Sequence, residues 1–292
     1  MDISKEQQIE YKIKLIKTFK AFDAFCEENR LHYYAAGGTA IGAVRHKGII
    51  PWDDDIDVVM KREDYDKFLS LKQKLDGSQY KIIDPSDYGY YLPFAKFVDD
   101  NTTIWEVPEH EFILGVFIDV FPLNHVDGDI KRIRRFQKKY MRLCSLHFSG
   151  YEKLFSKNVL SELKFKHPGT IINWLRKLFI CKPLKWYYNR LFWDAEKQLK
   201  ESTGNYLLNY YTQYPIEKEL YKSEWFESQI RLPFEDTEIY VMKGYHEFLS
   251  QLFGDYMTPP PLDKQQSHHF HYFYDLSKKL TIKQIRNDRN KL

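Results

Sequence analysis

Cysteine is scarce in this chain of 292 residues. Cys26, Cys144 and Cys181 lie far apart, odd in number and without Cys-x-x-Cys spacing. That pattern argues against a zinc site and against a disulfide framework, and it fits a reducing compartment. Long apolar runs are missing too: no uncharged stretch approaches the ~20 residues of a membrane-spanning helix. The opening Met1-Asp2-Ile3-Ser4-Lys5-Glu6 lacks the apolar region of a signal peptide. A cytoplasmic protein is therefore expected, with any membrane contact made from the surface. Nor is there an excess of one charge: 44 basic against 41 acidic side chains leave a formal +3. So small an imbalance gives no reason to expect a nucleic-acid partner.

Aromatic residues are abundant, with 22 Tyr and 21 Phe. They fill cores, line sugar sites and face membranes, and composition does not choose among these uses. Basic residues crowd into Lys131, Arg132, Arg134, Arg135, Lys138, Lys139 and Arg142. Such a run is most often a solvated helix face. The sharper expectation is contact with anionic headgroups or a phosphorylated acceptor.

Periodicity predicts a helix over residues 5–29, with Ile9, Ile13, Ile16, Phe19, Phe22 and Cys26 on one stripe and Phe25 widening it. A short strand at 32–36 precedes the Gly37-Gly38 break, and Thr39 is expected to cap a short helix reaching Arg45. Strands are expected at 56–60, 80–83, 92–98, 102–107 and 115–120, the last ended by Pro122, with a helix over 63–75. This alternation gives an α/β (α+β) core with a small mixed sheet over 1–128. Residues 129–230 read as a helical subdomain. Residues 231–292 return to short elements packing back on the core: a strand at 238–242, a helix around 245–253, and a charged tail from Leu280 expected to fray.

The informative stretch is Pro51-Trp52-Asp53-Asp54-Asp55-Ile56-Asp57-Val58-Val59. Residues two apart on a strand project the same way, so Asp55 and Asp57 converge. Two such carboxylates repel unless a cation or a shared proton joins them. Hard oxygen donors suit Mg²⁺ or Mn²⁺. Asp119, inside the apolar run Gly115-Val116-Phe117-Ile118-Asp119-Val120-Phe121, is expected to be buried and to want the same partner. Asp53 continues the spacing and is expected to join the metal shell, whereas Asp54 is expected to point away if the strand begins that early. A solvated acidic turn is the plainer reading for Asp53 and Asp54, and a hydrogen-bonded buried acid for Asp119. Gly37, Gly38 and Thr39 before a helix form a possible phosphate cradle, because glycine lets a phosphate approach backbone N–H groups.

A Gly-Gly turn, an Asp-x-Asp strand and a later single Asp resemble the signature of the nucleotidyltransferase superfamily. The stretch from Gly38 to Asp57 is similar to the LicD family, which includes the fukutin-related proteins. The resemblance continues at Leu92-Pro93-Phe94-Ala95-Lys96, at Phe117 to Leu123, and at Phe253-Gly254-Asp255-Tyr256-Met257. It implies a nucleotidyltransferase-like core and a phosphotransferase. The implied donor is CDP-linked, such as CDP-choline, and the transferred group is typically phosphocholine. The implied acceptor is a sugar of a teichoic acid, lipopolysaccharide or other glycan or lipid-linked precursor, at the inner face of the membrane. On this reading Asp55, Asp57 and Asp119 hold one or two divalent ions, and Asp119 is also a possible base. Arg45, Lys47 and Lys96 are candidates for the donor's phosphate oxygens, with plain solvation as the alternative. Trp52 is either a stacking platform or a core residue. His268, His269 and His271 are read as a surface or substrate-contact segment, and the role of Glu235 is open. Two other readings remain: a nucleotidyltransferase that moves the nucleotide itself, and a non-catalytic glycan- or nucleotide-binding protein.

Overall fold

The computed structural model describes residues 5–155, 168–212, 214–265 and 272–289. Helix α1 (Lys5–Asn29) has the expected length and buries the expected stripe from Ile16 onward, but not its first two members. Leu15, Phe19, Phe22, Phe25 and Cys26 enter the core, while Ile9 and Ile13 are 60% and 64% exposed. At 3.6 residues per turn, a step of three residues falls about 60° short of a full turn. Over positions 13, 16, 19 and 22 the shortfall reaches about 180°, so Ile13 lies opposite Phe22. The stripe that keeps phase is Leu15-Phe19-Phe22-Cys26.

Strand β1 (Tyr34–Ala35) leads into α2 (Gly37–Ile41), which continues as a π-helical turn over Gly42–His46. Thr39 does not cap this helix. Ala36 occupies the cap position, and the Thr39 hydroxyl instead accepts the Asp57 N–H at 2.8 Å. Then come β2 (Asp57–Lys61), α3 (Arg62–Ser70), β3 (Tyr80–Ile83), β4 (Ala95–Trp105) and β5 (Leu114–Val126). The two strands expected at 92–98 and 102–107 are the single strand β4. Its register with β5 shifts between Asp99 and Ile104. At the irregularity the Thr102 hydroxyl accepts the Val116 N–H, so no ladder donor is stranded.

Pro122 does not end β5. Asp119 donates its N–H to Ile56 of the β2 side, so alternation turns the position of Pro122 toward β4. The pairing with β4 has already run out at Ala95 opposite Val120. The donor that proline lacks is missing where no neighbour needs it.

The sheet is mixed, in the order β1-β2-β5-β4 with β10 (Phe273–Asp275) beyond β4. Strands β2 and β5 are parallel, and the other pairs are antiparallel. Helix α4 (Ile130–Ser149) is capped by the Asp129 carboxylate and packs against α6 (Lys185–Lys200), with α5 (Pro168–Arg176) between them in the chain. The basic residues of α4 lie on its exposed side, where Arg132 pairs with Asp127 and Arg134 with Glu217.

Past Lys200 the helical expectation fails. Strand β6 (Tyr206–Leu208) pairs with β5, and β7 (Tyr221–Lys222) pairs with β6, on either side of the short helix α7 (Ile216–Glu219). Burial of Leu207 and Leu208 is what draws this segment onto the sheet. Strands β8 (Gln229–Phe234) and β9 (Thr237–Met242) form a hairpin, followed by α8 (Tyr245–Phe253). The tail expected to fray is helix α9 (Ile282–Arg289), anchored by buried Leu280 and Ile285 beside Trp105. His268, His269 and His271 lie outside the described residues. Among the described residues no helix is long and apolar enough to cross a membrane.

Two imidazoles are buried in this framework. His147 stacks on Phe192 at 4.7 Å, and His110 on Tyr91 at 4.6 Å. Burial pushes both down to about 4. A depressed histidine leaves the unfolded chain binding more protons, so stability is full above about 6.5 and falls as pH drops toward 4. Replacing His147 by Phe should therefore flatten the fall in urea midpoint between pH 7 and pH 4.5. An unchanged slope would show that His147 is protonated in the fold.

Candidate active site

Three residues form a row across the central strands. Asp57 of β2 is the register partner of Asp119 on β5, and Asp119 is the partner of Lys96 on β4. Register partners present their side chains to the same face. Lys96 is 2% exposed, and its Nζ donates to Asp119 Oδ1 at 2.7 Å. It lies 3.8 Å from Glu106 and 3.4 Å from the centroid of the Phe117 ring. Tyr91 donates its hydroxyl to Glu106 at 2.7 Å. Lys96, expected among the phosphate ligands, has Asp119 and Glu106 as its partners here. A buried ammonium requires that compensation. Glu106 was not foreseen, since nothing local in the sequence places it against Lys96.

The acids ahead of β2 behave differently. Strand pairing begins at Asp57, so the alternation expected from Asp53 onward does not hold. Asp54 does not point away: one carboxylate oxygen each from Asp53, Asp54 and Asp55 gathers within 4.8 Å. Burial pushes the Asp55 carboxyl well up, and the charges of Asp57, Asp53 and Asp119 push it further. Asp55, Asp57 and Asp119 are therefore brought together, and Asp53 and Asp54 stand beside them.

The glycine turn positions these acids. Gly37 has φ +50°, in the left-handed region, and a Cβ there would lie 3.9 Å from Asp57 Oδ2. A Cβ on Gly38 would sit 2.5 Å from Asp53 Oδ2, so any side chain would displace that carboxylate. Thr39 fixes the start of β2 through the Asp57 N–H. Arg45 donates to the Tyr256 carbonyl at 2.6 Å, tying the turn to the segment after α8. Lys47 is exposed, with φ 58°. Glu235, at φ 54°, closes the β8–β9 hairpin against the loop before the acids. Its carboxylate accepts the Ile49 N–H at 2.9 Å and its N–H donates to the Lys47 carbonyl at 2.8 Å. It braces the loop that delivers Trp52 and Asp53.

These elements border a cleft of about 990 Å³. Gly37, Gly38, Trp52, Asp53, Asp55 and Asp57 line one part of it, whereas Arg45, Lys47, Lys96 and Asp119 are not among its lining residues. Aromatic residues line it too, among them Phe94, Phe121, Tyr211, Tyr214 and Tyr221, together with Glu219. Hard carboxylate oxygens gathered at a partly buried place make a donor set that suits a small divalent cation. Asp53, Asp55 and Asp57 are the residues that would hold it, with Asp119 alongside.

Removing one partner of a buried ion pair costs about 3–5 kcal/mol, because the other is left uncompensated. Lys96→Met should lower unfolding stability by about 3 kcal/mol. Adding Asp119→Asn should recover part of the loss in a double-mutant cycle followed by urea unfolding. Strictly additive losses would show that the two side chains do not depend on each other.

Residues 30–152 match the family described as LicD/FKTN/FKRP, nucleotidyltransferase domain. The chain is 32% identical over 259 residues to the lipopolysaccharide cholinephosphotransferase LicD of Haemophilus influenzae, covering 87% of this chain and 93% of that protein. An uncharacterized protein of Rickettsia typhi is 34% identical over 70 residues, 24% of this chain and 23% of its own length. One of Rickettsia prowazekii is 38% identical over 68 residues, 21% and 26% of the two lengths. The extent of the first match, together with the acid row and the glycine turn that places it, makes this chain a member of the LicD family.

Proposed function

We propose that this protein transfers phosphocholine, or a similar phosphate-linked group, from a CDP-linked donor to a sugar hydroxyl of a cell-surface glycan precursor. The observation that carries the reading is that Asp53, Asp55 and Asp57 line a cleft large enough for a nucleotide-linked substrate, with Asp119 beside Asp57 in the sheet. Family membership and the likeness to a lipopolysaccharide cholinephosphotransferase support it. The acceptor oxygen attacks the phosphorus that carries the transferred group. A new P–O bond forms, the bond to CMP breaks, and the hydroxyl proton is taken up by a carboxylate or water. Positioning and charge neutralisation dominate the catalysis of such transfers. When bound, Mg²⁺ or Mn²⁺ at these oxygens would offset the negative charge of the donor's phosphates and of the departing CMP. The Lys96 ammonium donates to Asp119 and so orients this carboxylate beside Asp57.

The lipid-linked acceptor belongs at a membrane surface, and one face of the helical layer fits that place. Residues 168–193 contain no Asp or Glu but carry Arg176, Lys177, Lys182, Lys185 and Arg190. Ile172, Phe179 and Trp186 of the same stretch are 66%, 69% and 68% exposed. Exposed aromatic and aliphatic side chains in a stretch rich in cations, of which Lys177 pairs with Glu152 and Arg190 with Asp194, complement an anionic bilayer interface. The protein should co-sediment with phosphatidylglycerol vesicles, and the triple change Ile172→Ser, Phe179→Ser, Trp186→Ser should abolish this. Equal co-sedimentation of the variant would remove this face from the account.

With CDP-choline, Mg²⁺ and a glycan precursor the protein should release CMP. Asp57→Asn should slow this by about a hundredfold or more with near-UV dichroism unchanged. Normal turnover by the Asn variant would contradict the metal assignment. Release of pyrophosphate from a nucleoside triphosphate would instead place the chemistry with nucleotidyl transfer.

A further inference from the structure

The aromatic part of the cleft contains a carboxylate that the transfer chemistry does not use. Glu219 ends α7 and is 7% exposed. Thr212 donates its hydroxyl to Glu219 Oε1 at 2.7 Å, and Tyr221 donates to Oε2 at 3.0 Å. Among the described residues no Lys, Arg or His forms an ion pair with it. Burial pushes its carboxyl upward against the pull of the two hydroxyls. In the same cleft, Phe94 packs on Phe121 with ring centroids 4.2 Å apart and on Tyr211 at 5.8 Å, and Tyr214 and Tyr221 line it as well. Tyr214 lies within electrostatic reach of both Glu219 and Asp57, so the acidic and aromatic parts adjoin.

A buried carboxylate with no cationic neighbour is costly unless a ligand supplies the charge. The kind of cation follows from the hydrogen bonding. Each Glu219 oxygen already takes a hydroxyl donor, which leaves a primary ammonium a poorer set of acceptors. A quaternary ammonium donates no hydrogen bond. It needs a negative charge and π faces, and both are here. We propose that Glu219, with Phe94, Tyr211, Tyr214 and Tyr221, forms the subsite for a trimethylammonium headgroup on the transferred phosphate. The inference rests on the transferase reading and narrows it, because a neutral polyol would leave Glu219 facing no charge.

Calorimetric binding of CDP-choline, CDP-ribitol and CDP tests this, alongside CMP release from CDP-choline. The intact protein should bind CDP-choline at least tenfold more tightly than CDP-ribitol. Glu219→Gln should weaken CDP-choline at least tenfold and leave CDP unchanged, which also reports that the variant is folded. Tyr214→Ala, at a position 43% exposed and so tolerant of truncation, should weaken CDP-choline in the same selective way. Turnover of CDP-choline with affinity unaltered in both variants would overturn the subsite and leave the transferase reading intact. Failure of the intact protein to bind any CDP compound would overturn both. Equal binding of CDP-choline and CDP-ribitol would overturn the subsite alone.

Discussion

Repulsion between carboxylates is the constraint around which this molecule is arranged. Asp57 and Asp119 stand side by side on parallel strands, and Asp53, Asp54 and Asp55 crowd against them from the preceding loop. Like charges this close resist assembly, so each must be held by something stronger. Asp57 is held by β2 and by the Thr39 hydroxyl on its N–H, Asp53 by the space that Gly38 leaves open, and Asp119 by the Lys96 ammonium. Lys96 meets Asp119, and Asp53, Asp54 and Asp55 gather where a cation would offset their repulsion.

The supports come from distant parts of the chain. Lys96 is secured by Glu106, and Glu106 in turn by Tyr91. The loop carrying Trp52 and Asp53 is braced from the β8–β9 hairpin by Glu235, and Arg45 ties the same turn to Tyr256. The cleft is closed by the segment that follows the helical layer, which supplies Tyr211, Tyr214 and Glu219. Acidic and aromatic surfaces thus adjoin within one cavity, as a substrate with a phosphate at one end and an organic cation at the other requires.

What could be read from the sequence was what depends on near neighbours. The mixed sheet follows from β-branched runs such as Val58-Val59, and the pairing of Asp57 with Asp119 follows from an acid at the head of one strand and another inside an apolar strand. Misreadings arose where phase or partners are set at a distance. Ile13 looked like a core residue because steps of three seem helical locally, though their drift carries it to solvent. Asp54 was placed outward only on condition that the strand reached back to Asp53, whereas pairing starts at Asp57. Pro122 looked like a strand end because its missing donor matters only if a neighbour stands opposite. The partners of Lys96 were not legible, since the pairing that puts Asp119 beside it is a property of the sheet. Glu219 went unnoticed within a stretch read as helical, and no spacing rule links it to Phe94.

The central claim is that the acids on this cleft hold a divalent cation. Calorimetric titration of the intact chain and of the Asp55→Asn variant with Mn²⁺ tests it most directly, since it needs neither donor nor acceptor. The account predicts saturable binding by the intact chain, weakened at least tenfold in the variant. Equal affinity in the two, or no binding by the intact chain in the presence of CDP, would contradict it.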